Sequence, residues 1–126
     1  MNLLELTKLI DGKILAAADR TDRVVAGCCG ADLMSDVLAS IQPGALLLTG
    51  LCNPQVVRTA EIADIPAIVL VRGKMPPRET VDLANEEHIP LISSPFGMFE
   101  ICGRLYHAGL PSMELPTFTG QVNCGD

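Results

Sequence analysis

Residues 46–55 read LLLTGLCNPQ, an apolar run that stops at Thr49-Gly50 and restarts at Asn53-Pro54. Three consecutive leucines without polar alternation indicate a strand buried on both faces, because a half-exposed strand alternates polar and apolar residues. Asn53 is a preferred helix cap, and Pro54 lacks only an amide hydrogen that the first helical turn leaves unpaired, so the pair marks a helix start. The inner face of that helix reads Val56, Val57, Ala60 and Ala63, with Arg58 and Glu61 outward. Strand, glycine turn and capped helix form one unit.

The unit recurs on both sides. Downstream, Pro66 ends the helix, AIVLVRG (67–73) is a second apolar strand, and Pro76-Pro77 opens a helix to about residue 87 with Val81 and Ala84 inward. HIPLISS (88–94) follows as a strand, and Ser94-Pro95 repeats the cap-then-proline start of a helix that turns Phe99, Cys102, Leu105 and Tyr106 toward the core. Gly109-Leu110-Pro111 is its stop. Upstream, Leu33, Met34, Val37, Leu38 and Ile41 form an apolar stripe behind Asp32 as N-cap. KILAAA (13–18) and VVAGCC (24–29) read as strands, and Leu3, Leu6, Leu9 and Ile10 as a short helix capped by Asn2. The expected architecture is a three-layer α/β domain with a mainly parallel sheet over residues 1–110. Residues 111–126 lack a period and are expected to be an extended or partly disordered tail.

Composition narrows the function. The 126 residues suit one domain, and 48% hydrophobic residues with a mean hydropathy of +0.35 supply a core. A net charge of −6, three Phe, one Tyr and no Trp give neither a basic footprint nor stacking aromatics for nucleic acid. No apolar run approaches the roughly 20 residues of a membrane span, and the start MNLLELTKLIDGK lacks the features of a secretory leader. A cytoplasmic location is expected. Five cysteines at 28, 29, 52, 102 and 124 contain no CxxC pair. Cys28, Cys29 and Cys52 either gather at the sheet edge as a thiol or metal cluster or pack as small hydrophobes, and the second reading is preferred.

In a parallel sheet the loops after Gly30, Gly50, Gly73 and Ser94 share one edge. That edge collects Asp32, Thr49, Gly50, Asn53, Arg72, Gly73, Lys74, Ser93 and Ser94, the candidate ligand-binding residues. Helix-start amides beside Arg72, Lys74 and Arg78 would complement an anion, whereas the plainer reading makes these cations solvated and Asp32 a cap. The chain has no GxxxxGK[ST] run, and GCCG (27–30) lacks the spacing of a dinucleotide fingerprint. His88 and His107 have no metal-ligand spacing, and no nucleophile–base set can be assembled. No catalytic residue, metal ligand or cofactor is assigned.

GADLMSDVLA, ALLLTGLCNPQVVRTAEIADIPAIVLVRGK and PPRETVDLANEEHIPLISSPFGMFEICGRLYHAGL together resemble a DRTGG domain, over roughly residues 2–110. Many members of that family carry a glycine-aspartate-arginine run and a threonine-glycine-glycine run. Here those regions read Gly30-Ala31-Asp32 and Thr49-Gly50-Leu51, so only Asp32, Thr49 and Gly50 carry over. The resemblance implies an α/β domain related to the N-terminal domain of HPr kinase/phosphorylase, here in stand-alone form. It also implies a regulatory or ligand-binding role and a homodimer. A non-catalytic sensor of an anionic small molecule, with an adenine nucleotide as leading candidate, is the expected function. The alternatives are a protein-interaction scaffold without ligand and a thiol- or metal-dependent redox component.

Overall fold

A computed structural model describes residues 1–116. The elements, in chain order, are α1 (Leu3–Leu9), β1 (Lys13–Ala16), a single 3-10 turn (Ala18–Arg20), β2 (Gly27–Gly30) and α2 (Met34–Ser40). They continue with β3 (Ala45–Thr49), α3 (Pro54–Ile62), β4 (Ile68–Leu70), α4 (Arg78–Glu86), β5 (Leu91–Ser93) and α5 (Met98–His107). One five-stranded sheet has the order β1-β5-β4-β3-β2, with β2 to β5 parallel and β1 antiparallel to β5. The α/β class and the repeated strand-helix units read from the sequence are present.

Burial explains the run that opened the sequence. Every residue of β3 is buried, and its side chains divide between two cores. Leu46 and Leu48 join Val69 and Ile92 beneath α1 and α5, through Leu3, Leu6, Ile101 and Leu105. Leu47 joins Ile68, Leu70 and Leu91 beneath α2, α3 and α4, through Val37, Val56, Val57, Ala60 and Ala84. Each fully buried leucine contributes about 1.5–3 kcal/mol relative to exposure. The strand order explains this division: β2 to β5 run in sequence across the sheet, so crossovers of one hand place α2, α3 and α4 on the same face. After β5 the chain crosses over, and α5 joins α1 on the other side.

Several boundaries differ from the sequence reading. Asn2 caps α1 as expected, its Oδ1 accepting from Glu5 N at 2.9 Å. β2 begins at Gly27 and not at Val24, because Val24 bridges to Asn2 and Val25 N donates to Met1 O. α5 begins at Met98 with Gly97 as N-cap, three residues beyond Pro95. The Ser94 hydroxyl is already engaged, donating to Ile10 O at 2.7 Å and accepting from Phe96 N at 3.3 Å. Leu105 is buried, but Phe99 is 93% and Tyr106 74% exposed, so the inner stripe of α5 runs through Ile101 and Leu105 instead. Leu33 and Leu38 are likewise exposed on α2. Beyond α5, residues 111–113 lie along the outer edge of β2, where Cys28 N donates to Pro111 O and Met113 N to Cys28 O, and the chain then passes the end of α2, where Leu115 N donates to Ser40 O. The rest of the expected tail, including Cys124, lies outside the described residues.

Candidate functional site

The carboxyl ends of β2 to β5 share one edge, as parallel pairing requires. At this edge the chain leaves β4 toward α4 on one face and leaves β5 toward α5 on the other. Divergent exits from adjacent strands are, as a rule, the place where open α/β sheets receive ligands.

Arg72 and Gly73 line that place in left-handed conformations, with φ of 62° and 64°. A non-glycine residue there costs roughly 1–2 kcal/mol. Two short main-chain bonds hold it: Arg72 N donates to Phe96 O at 2.7 Å and Gly73 N to Ser94 O at 2.6 Å. The Arg72 guanidinium is consequently set over the start of α5, its Nε 4.0 Å from where a Cβ on Gly97 would stand. Ser93 Oγ donates to Lys74 O at 2.9 Å, fixing the backbone that aims the lysine.

Lys74 Nζ reaches back across the edge and donates to Gly50 O at 2.8 Å. Gly50 N in turn donates to Asp32 Oδ1 at 2.7 Å, and Thr49 Oγ1 donates to the same oxygen at 3.2 Å. Leu51 N donates to Thr49 Oγ1 at 3.1 Å and completes the turn. Asp32 therefore does not cap α2, whose N-cap is Leu33 without a side-chain bond. It ties the end of β2 to the end of β3. Gly50 permits this: a Cβ there would stand 3.1 Å from Lys74 Nζ and 3.4 Å from Asp32 Oδ1.

Of the residues selected from the sequence, Asp32, Thr49, Gly50, Lys74, Ser93, Gly73, Ser94 and Arg72 form one linked run across the edge. Asn53 is the N-cap residue of α3, but its side chain accepts no bond from that helix. Among the described residues neither Arg72 nor Lys74 forms a salt bridge, whereas Arg78 pairs with Asp82 at 3.8 Å. Thr80 was not singled out in the sequence. Its hydroxyl, fully buried, donates to Cys52 O at 2.7 Å and pins the 50–53 loop to α4. The available signal was a β-branched polar residue in the first turn of a helix otherwise rich in charge.

The cysteines do not gather as the cluster reading required. Cys28 faces the core under α5 and lies near Cys102, Cys29 points to the opposite face, and Cys52 packs against the other core. Cys29 Sγ lies 3.6 Å from Glu114 Oε2. Burial pushes both the Cys28 and Cys29 thiols up to about 12, and the Glu114 carboxylate adds to the effect on Cys29. Burial also raises the Cys52 thiol, which the nearby Lys74 ammonium partly offsets. Such thiols are poor nucleophiles at neutral pH. Among the described residues no group of three or more His, Cys, Asp or Glu could hold a metal ion, and no helix is long and apolar enough to cross a membrane.

Residues 5–108 match the model of the DRTGG domain. No curated protein is similar to the chain in sequence. A similar solved structure is the CBS and DRTGG domains of the regulatory region of Clostridium perfringens pyrophosphatase, crystallised with its activator diadenosine tetraphosphate. The two share 16% identity with a TM-score of 0.66, over 87% of this chain and 47% of that one. The chain thus spans about half the length of that relative, and the likeness is one of fold. With the family match extending through β1 to β5 and across the strand-end edge, the chain belongs to the DRTGG domain family.

Proposed function

We propose that this domain is a non-catalytic regulatory module that senses an anionic small molecule, an adenine nucleotide foremost, at the edge formed by residues 30–32, 49–54, 72–74 and 93–95. One observation carries the reading: Arg72 and Lys74, neither held in a salt bridge among the described residues, stand where the chain leaves β4 and β5 in opposite directions. The adenine candidate draws support from the activator named for the structurally similar pyrophosphatase region.

The geometry also supplies a readout. Lys74 is bonded to a neutral carbonyl, and a phosphate oxygen is the stronger acceptor because its negative charge attracts the ammonium, whereas the carbonyl offers only a dipole. A bound phosphate would draw Nζ from Gly50 O and release the turn that leads into α3. Asp32 stays on Gly50 N and limits how far that turn moves. The domain, residues 1–110, is read as a cytoplasmic homodimer that passes this change to its own second copy or to a protein partner.

Thermal unfolding against ATP, ADP, AMP and diadenosine tetraphosphate tests the proposal. A ligand at 100 times its Kd stabilises the folded state by about 2.7 kcal/mol, which raises Tm by several degrees in a domain this size. An unchanged Tm with all four nucleotides at millimolar concentration would favour the scaffold reading.

A further inference from the structure

α5 covers the sheet with Ile101 and Leu105 and turns Phe99 and Tyr106 outward, 93% and 74% exposed. The chain has only three Phe and one Tyr, so the display of two aromatic rings on one short helix is not a by-product of composition. Between them lies Gly103, where an added Cβ would meet nothing within 4 Å. Phe99, Gly103 and Tyr106 follow the i, i+4, i+7 spacing of a single helical stripe, and an apolar stripe pointing away from its own core is an interaction surface.

We propose that a second copy of this chain docks on that stripe, α5 against α5 in antiparallel order, about a two-fold axis passing beside Cys102 and Gly103. The inference rests on the homodimeric reading above and locates its interface. Three features fit a copy of the same chain. Phe99 and Tyr106 lie at matched distances on either side of the Cys102–Gly103 pair, so the two-fold sets each Phe99 against the partner's Tyr106, as a self-complementary interface requires. Gly103 lets two helix backbones approach at the axis. Glu100 in the first turn offers an acceptor and His107 in the last turn an imidazole N–H donor, and reversing the second helix brings the two turns together. Glu100 already receives Arg104 Nε on Oε2 at 2.8 Å, leaving Oε1 to accept from the partner's His107. Antiparallel helix dipoles add to the match.

Sedimentation equilibrium of the full chain across micromolar concentrations tests the proposal, with Phe99→Ser, Tyr106→Ser and Gly103→Leu as variants. None of the three side chains supports the monomer core, and Leu is a better helix former than Gly, so Gly103→Leu keeps the test decisive if a serine variant folds poorly. The expected result is a dimer of the parent chain and association weakened at least about tenfold in each variant, as at a buried aromatic anchor. A parent dimer that Gly103→Leu leaves intact would overturn the α5 interface while leaving dimerisation standing. A parent chain that is monomeric throughout would overturn both. Neither outcome bears on nucleotide binding, which the thermal measurement reads separately.

Discussion

Asp32→Ala removes the one side chain that joins the ends of β2 and β3, and its cost follows from the bonds it breaks. The bond from Gly50 N to the carboxylate, 2.7 Å long, is charge-assisted; such bonds contribute roughly 1.5–3 kcal/mol, reduced here to about 1–1.5 because solvent reaches the glycine. The Thr49 hydroxyl, 3.2 Å from the same oxygen, adds about 0.5 kcal/mol. The sum, about 1.5–2 kcal/mol, moves the urea midpoint down by roughly 1 M for a domain of this size. Asp32→Asn retains an acceptor but loses the charge, and loses about half as much. Amide exchange gives a local readout: the Gly50 N–H should exchange faster in Asp32→Ala, while Val69 and Ile92 in the central strands keep their protection. Identical urea midpoints for parent and Asp32→Ala, with unchanged exchange at Gly50, would refute the assignment of Asp32 to the loop.

Two further predictions concern other parts of the fold. Gly27→Ala places a Cβ against Pro111 O and Met113 Cγ, and since the carbonyl is backbone the extended segment must shift off β2; the expected loss is about 1–3 kcal/mol in urea unfolding, with faster proteolysis at residues 111–116. Cys28 and Cys29 hold their protons up to about 12 when folded and titrate near 9.0 when unfolded, so the stability they contribute is intact below pH 9 and is lost as pH rises from 9 toward 12. Urea midpoints should fall over that range in the parent chain and fall less in Cys28→Ala/Cys29→Ala, and equal slopes for the two proteins would contradict the assignment.

The core strands were legible because tertiary structure and local pattern agree there. Leu46 to Leu48 are continuous and apolar because both faces of β3 are covered, and Pro54 and Pro77 mark helix starts since proline leaves a helix few other positions. The antiparallel placement of β1 beside β5 was not legible, since KILA pairs through backbone atoms that carry no side-chain signal. Ser94-Pro95 misled for a related reason. The same two residues that can cap a helix can instead close a loop, and the distant Ile10 carbonyl decides between them. Asp32 reads locally as a helix cap, because the amide it binds lies 18 positions away. Phe99 and Tyr106 have core-like spacing, and only the sheet shows that the stripe faces outward.

An adenine nucleotide bound as proposed sits at the exit between β4 and β5, held by Arg72 and Lys74. Calorimetric titration of ATP into the parent chain and into Arg72→Ala and Lys74→Ala, each checked for fold by circular dichroism, tests it most directly. The expected result is saturable binding to the parent and affinity lowered at least about tenfold in each variant, the cost of about 1.4 kcal/mol for losing one charged bond to phosphate. Binding of equal strength in all three folded proteins, or no heat of binding in the parent, would contradict it.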